Sequence, residues 1–220
     1  MATARPVKEN EQELRLALAM RGGASMAVWI GGATAEINCL RRVLSEPSSD
    51  AERAHPWVGL AELGGYDSVS VDVLAGTSAG GLNASLLVAS MVYGLPFDDM
   101  RSVWIRLADL EAMSRRVPRA WQPDPLSLLE GDDYFRVELV RTLKQFLSRA
   151  ERTTHSRADL LLTATLLDPL VEQRFDGRGG TLAQERRTAS FRFRHVGRPG
   201  QPTSDFGAGR DFDDTALRLA

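Results

Sequence analysis

A short apolar run that stops at Gly-x-Ser-x-Gly and passes directly into a helical pattern leaves this chain few folds to adopt. Residues 69–75 are apolar and rich in β-branched side chains with few interruptions, Gly76-Thr77-Ser78-Ala79-Gly80 follows at once, and residues 81–93 carry apolar positions at helical spacing. A run of that kind predicts a strand covered on both faces. In the order strand, Gly-x-Ser-x-Gly, helix, the pentapeptide reads as a nucleophile elbow: a tight turn that strains Ser78, lifts its hydroxyl clear of the sheet and leaves a helix N-terminus beneath it. Gly76 and Gly80 are the small residues such a turn requires, because strand and helix nearly touch there. The bland alternative is a serine in an ordinary glycine-rich turn, and the flanking pattern favours the nucleophile.

The same order of elements occurs earlier. Residues 14–20 alternate leucine with smaller or polar residues, Arg21-Gly22-Gly23-Ala24-Ser25 interrupts them, and residues 26–44 have apolar side chains three or four apart. This predicts a first strand, a glycine loop and a first long helix. Gly31 and Gly32 inside that helix weaken it by about 1 kcal/mol each relative to alanine, so they point to close packing against the sheet or the elbow helix. Two strand-helix units side by side in a parallel sheet bring both turns to its carboxyl edge. There the amides of Gly22, Gly23 and Ala24, with that of Ala79, would face Ser78 as donors for an oxyanion. Phosphate binding is the competing use of such a loop. It has no support in a Gly-Lys-Ser/Thr or a complete Gly-x-Gly-x-x-Gly.

Elsewhere the pattern is coarser. Residues 1–12 are polar and read as disordered, ahead of one domain over 13–220. Residues 45–67 read as a surface excursion with a short helical turn at 58–63, residues 97–113 as an amphipathic helix, and a second amphipathic helix starts at Asp132 or Asp133 and runs to 147. Residues 159–167 read as a buried strand ended by Asp168-Pro169, with further strands at 170–175 and 189–196 on either side of a glycine turn at 176–180. A helix begun at Thr215 has no C-cap before Ala220, which reads as a domain interrupted in mid-fold.

With 43% hydrophobic and 25% charged residues, 220 residues suit one domain with a sizeable core. A formal net charge of −2 gives no field for nucleic acid. Cys39 is the single cysteine, which excludes an internal disulfide; it reads as a small buried hydrophobe with no companion for a metal site. His55 and His155 lie in polar stretches and read as solvated. No cofactor is implied. Residues 1–12 lack the apolar stretch of a signal peptide and no run reaches the roughly 18 apolar residues of a membrane span, so the expected location is cytoplasmic or peripheral to a membrane.

Taken together, the strand at 14–20, Arg21-Gly22-Gly23-Ala24 and the Gly76-Thr77-Ser78-Ala79-Gly80-Gly81 elbow resemble the opening half of a patatin-like phospholipase domain of a bacterial branch. The resemblance implies an α/β fold with three layers, α/β/α, and a largely parallel central sheet. It implies a serine lipid acyl hydrolase acting on carboxylic esters through a Ser-Asp dyad, with Ser78 as nucleophile, a lipid or small acyl ester as substrate, transient contact with a membrane surface, and no metal. Two departures stand out. Arg21 occupies the position of the family's first glycine and Ser25 that of its basic residue, and no Asp-Gly-Gly or Asp-Gly-Ala follows, so the catalytic aspartate is expected beyond Ala220 and a catalytically incomplete fragment is the first alternative. The second alternative is a Ser-Asp-His esterase: Asp168 or Asp176 and then His195 follow Ser78 in the order of an α/β-hydrolase triad. Against it, Asp176 suits the capping position of its own glycine turn, and His195 reads as one member of a polar strand face.

Overall fold

The structure is a computed structural model. It describes residues 12–45, 47, 49–95, 97, 100–115, 127–147, 157–196, 203–207 and 210. The expected disordered segment up to residue 11, His155 and the helix begun at Thr215 lie outside these.

Five strands form one sheet in sequence order: β1 (Glu13–Met20), β2 (Ser68–Thr77), β3 (Arg157–Phe175), β4 (Thr181–Val196) and β5 (Thr203–Ser204). β1, β2 and β3 run parallel, and β4 and β5 return antiparallel. Between β1 and β2 a long helix, α1 (Ala27–Ser45), follows a 3-10 turn over Ala24–Met26, and two short helices, α2 (Asp50–Arg53) and α3 (Pro56–Gly64), fill the stretch read as a surface excursion. The elbow helix, α4 (Ala79–Tyr93), follows β2. Next come α5 (Met100–Leu107) and α6 (Leu110–Met113), which divide the single helix expected at 97–113, then a π-helical turn over Gly131–Phe135 that runs into α7 (Arg136–Leu147).

Strand parity decides which side chains enter the core. Leu14, Leu16, Leu18 and Met20 pack on the helical side while Glu13, Arg15, Ala17 and Ala19 are exposed. Leu16 pairs with Val71 but Ala17 with Val73, so Asp72 is an extra residue in β2. That bulge swaps the parity of β2, so that Val69 and Val71 before it and Leu74 after it all face the helices. The carboxylate of Asp72 accepts from Arg15 Nε at 2.6 Å. α4 is the central helix. Thirteen of its fifteen residues are buried, which is why its sequence is apolar all round rather than striped. It lies on β2 and β3, with α1 beside it on β2 and α5 packed against α1.

The element content and the sheet, parallel over β1 to β3, are those of the expected α/β, patatin-like architecture. Of its layers, the described residues supply the sheet and the helices on one face. On the other face the carboxylate of Asp159 accepts from Arg192 (3.0 Å) and Arg194 (2.9 Å). Burial opposes ionisation of Asp159, but hydrogen bonds from Arg194 and Arg192 and the charges of both guanidiniums outweigh it and hold the carboxyl below its ordinary pKa.

The predicted turn at Asp168-Pro169 is absent. β3 continues to Phe175, with a register shift between Thr165 and Leu170 that absorbs the proline in a bulge. β4 correspondingly begins at Thr181 rather than 189. β3 and β4 pair along this whole length, whereas β2 reaches only Asp159 to Thr163 of β3. The remainder projects as a two-stranded arm beyond the carboxyl edge of the sheet, with Leu167 93% and Phe175 85% exposed.

Candidate active site

Ser78 sits between the end of β2 and the first residue of α4 with φ 50° and ψ −126°, the one non-glycine residue with positive φ among the described residues. A serine holds such a conformation only where its surroundings impose it. Here the imposing contacts come from glycines. A Cβ on Gly76 would lie 2.6 Å from the Gly80 oxygen and the Gly81 nitrogen, and one on Gly80 would run into the carbonyl of Met20 and lie 2.7 Å from that of Arg21. The elbow is therefore closed against the end of β1 as well as against its own strand. Ser78 is exposed and its hydroxyl makes no capping bond to α4. Ala79, as the first residue of α4, has an N–H with no intrahelical acceptor.

The glycine loop after β1 lies against the elbow as the two adjacent parallel strands require. A Cβ on Gly22 would meet Ser78 Cβ at 2.7 Å and Ser78 Oγ at 3.4 Å. The Gly22 N–H donates to Thr77 Oγ1 at 3.0 Å. That bond removes Gly22 from the four expected oxyanion donors and gives Thr77 a role the sequence reading did not assign. Gly23, at φ 142°, and Ala24 lead into the 3-10 turn and α1, where N–H groups precede any acceptor on their own helix.

A buried polar bridge fixes the start of α1 relative to α4 and α5. Asn83 Nδ2 donates to the Ala27 carbonyl at 3.1 Å, and Asn83 Oδ1 accepts from Trp104 Nε1 at 2.9 Å. Gly31 faces the same bridge: an added Cβ would be 3.0 Å from Trp104 and 3.2 Å from Asn83 Oδ1. Gly32 faces open space, so of the two helical glycines only Gly31 has the expected close neighbour, and that neighbour is α4 together with α5.

Two apolar cavities meet at Ser78. One, about 320 Å³, lies between α4, α7 and the β3–β4 pair and is lined by Leu86, Leu139, Leu143, Leu162, Phe191 and Phe193 among others. The second, about 350 Å³, lies on the α1 and α5 side and is lined by Ala27, Trp104, Leu107, Met113 and Phe135. Leu82, on the first turn of α4, borders both. α7 and the arm's base were read only as amphipathic or strand segments, and their part in a cavity had no separate signal in the sequence.

The remaining expected residues lie elsewhere. Asp176 stands at the tip of the arm. Nine residue steps along β4 separate Thr181 at the tip from Ser190 opposite Thr163, a span of roughly 30 Å. The Asp176 carboxylate accepts from the N–H groups of Arg178 (2.7 Å) and Gly180 (2.9 Å), and those two bonds, in that order, lower its pKa. His195 pairs with Ala158, five positions below Thr163 and so toward the opposite edge of the sheet, roughly 17 Å along the strands from the level of the elbow and two strands over from β2. It is not on a polar face: it is fully buried, its Nδ1 lies 2.8 Å from Ser204 Oγ and its ring stands edge-on to Phe206. The structure thus separates the members of the alternative triad. His55 is not simply solvated either, since its Nδ1 accepts from Trp57 N–H at 3.3 Å to cap α3, and its Nε2 lies 3.7 Å from Cys39 Sγ. Cys39 is only half-buried. Among the described residues no group of acidic, histidine and cysteine side chains is placed to hold a metal, and no helix is long and apolar enough to cross a membrane.

The chain has known relatives. Over 205 residues, 82% of this chain, it is 34% identical to an uncharacterized membrane protein of Mycobacterium tuberculosis. The chain spans about a fifth of that relative's length, the match covering 18% of it. No solved structure matches the chain. The patatin-like phospholipase family model matches residues 18–214, from the end of β1 past the elbow, the cavities and the arm, and the chain belongs to that family.

Proposed function

We propose that this chain carries the nucleophile and oxyanion site of a serine lipid acyl hydrolase that cleaves carboxylic esters. The observation that carries this reading is Ser78, strained at a strand-to-helix turn with a hydroxyl that makes no capping bond to α4 and apolar cavities on both sides. In the proposed reaction Ser78 Oγ attacks the ester carbonyl as its proton passes to an aspartate outside the described residues. The N–H groups of Gly23, Ala24 and Ala79 hold the oxyanion. Collapse expels the alcohol, which takes the proton, and the same aspartate then activates a water that hydrolyses the acyl-serine. No metal enters these steps.

Contact with a lipid surface belongs to the same reading. Met26, Trp29 (70% exposed), Leu128, Leu167 and Phe175 are exposed apolar side chains, and they lie on segments at the carboxyl edge of the sheet, where Ser78 opens. Tryptophan in particular suits a boundary between apolar and wet surroundings.

Hydrolysis of p-nitrophenyl decanoate by a protein that includes the catalytic aspartate tests the proposal. The expected result is turnover lowered at least about 10³-fold by Ser78→Ala. Turnover unchanged by that substitution contradicts it.

A further inference from the structure

Both cavities at Ser78 are apolar, and the further inference concerns what fills the second. It rests on the reading of Ser78 as an ester-cleaving nucleophile. Once a carbonyl carbon is bonded to Ser78 Oγ and its oxygen is turned to the amides, two substituents remain, the acyl chain and the alcohol. They must leave the carbon in different directions, and two cavities separated by Leu82 offer those directions. The described residues that line them include no charged side chain.

They follow α4 for different lengths. The cavity under α7 follows α4 from Gly81 to Leu86 and reaches Phe193, whereas the other borders α4 only at Ala79 and Leu82 and reaches Met113 and Phe135. The group that stays attached in an acyl-serine is suited to the cavity that runs further along α4, and the group that departs to the other. An apolar cavity of about 150 Å³ holds a benzene ring. By that measure 320 Å³ takes an acyl chain of about ten to twelve carbons.

We infer that the substrate is an ester with an apolar group on each side of the scissile bond, its acyl chain lying under α7 and its alcohol-side chain against Trp104 and Met113. A single chain esterified to a small polar alcohol leaves the second cavity without an apolar occupant. The alcohol-side chain has two chemical sources, a fatty alcohol or the second acyl chain of a glycerol lipid.

Trp104 makes the test independent of turnover, because it lines the second cavity alone. The 220-residue chain carrying Ser78→Ala is titrated with 6-bromohexyl decanoate and with hexyl 10-bromodecanoate, and the Trp104 contribution is isolated by adding Trp104→Phe. The expected result is quenching of Trp104 by bromine on the alcohol chain and little by bromine on the acyl end. Hexyl decanoate should also compete at least about tenfold better than methyl decanoate, since it buries five more methylenes. Met113→Trp, which fills the second cavity, should abolish that preference and leave methyl decanoate binding in place. Val140→Trp, in the first cavity, should weaken both esters. Competition by 1,2-didecanoylglycerol as strong as by hexyl decanoate assigns the second chain to a glycerol lipid, and competition about tenfold weaker assigns it to a fatty alcohol. Equal binding of methyl and hexyl decanoate without Trp104 quenching overturns the inference and leaves the ester hydrolase standing. No binding of any decanoate ester overturns both.

Discussion

The Gly22 N–H donates to Thr77 Oγ1 at 3.0 Å, and this bond ties the loop after β1 to the residue that precedes the nucleophile. Two turns that are 55 residues apart in the chain are thereby held in one register at the sheet edge. Thr77→Val keeps the β-branched shape and removes the acceptor, leaving the Gly22 N–H without its partner. The expected cost is about 1–2 kcal/mol of stability, read from denaturant unfolding, and a kcat lowered about tenfold with KM little changed, because the loop then holds its amides less firmly. Thr77→Ser, which keeps the acceptor, should restore most of both.

The paired glycines of α1 give opposite expectations at neighbouring positions. Gly31→Ala forces Trp104 or Asn83 to move and should destabilise by about 1–3 kcal/mol. Gly32→Ala meets nothing and should stabilise by up to about 1 kcal/mol through helix propensity. Thermal melts of the two variants check the pair.

Asp159 makes the fold sensitive to acid. Its carboxyl is held by Arg194 and Arg192 below the unfolded value despite its burial, so the folded state binds fewer protons than the unfolded one near that pKa. The stability this contributes is complete at neutral pH and is lost as pH falls from about 5 through the folded pKa. Asp159→Asn should lose about 1 kcal/mol at pH 7, both arginines being half-exposed, and should show a shallower decline between pH 5 and 3. Unfolding midpoints across that range decide it.

His195 and Asp176 are expected to be silent in the chemistry. His195→Ala opens a hole beside Phe206 and Ser204 and should cost about 2–4 kcal/mol, with the modification rate of Ser78 by an organophosphorus probe unchanged in the protein that remains folded. Asp176→Asn should leave that rate unchanged as well.

How far the chain could be read without its structure follows from where the information lies. Both strand-helix units and the elbow were legible because each is local: periodicity changes across a glycine turn, and Gly76 and Gly80 then do what such a turn demands. Parity also held the answer for His195, two and four residues after Phe193 and Phe191 and so on their face; grouping it with Arg192 and Arg194 by polarity put it on the wrong side. Asp168-Pro169 read as a stop because proline breaks a ladder, and a bulge removes that conflict. The bond between Gly22 and Thr77 and the two cavities beside Leu82 are tertiary facts. No window of sequence contains them.

Docking at a lipid surface gives a separate expectation. Trp29→Ser with Phe175→Ser removes two exposed side chains that support no core packing, so stability should move by less than about 0.5 kcal/mol. Sedimentation with phosphatidylcholine vesicles should fall several-fold.

The most direct measurement is covalent modification by an alkyl fluorophosphonate, located by peptide mass spectrometry in the 220-residue protein and repeated in the presence of hexyl decanoate. The adduct is expected on Ser78, its formation slowed by the ester and absent in Ser78→Ala. An adduct on another serine, or an unmodified Ser78 in folded protein, contradicts the assignment of Ser78 as the nucleophile.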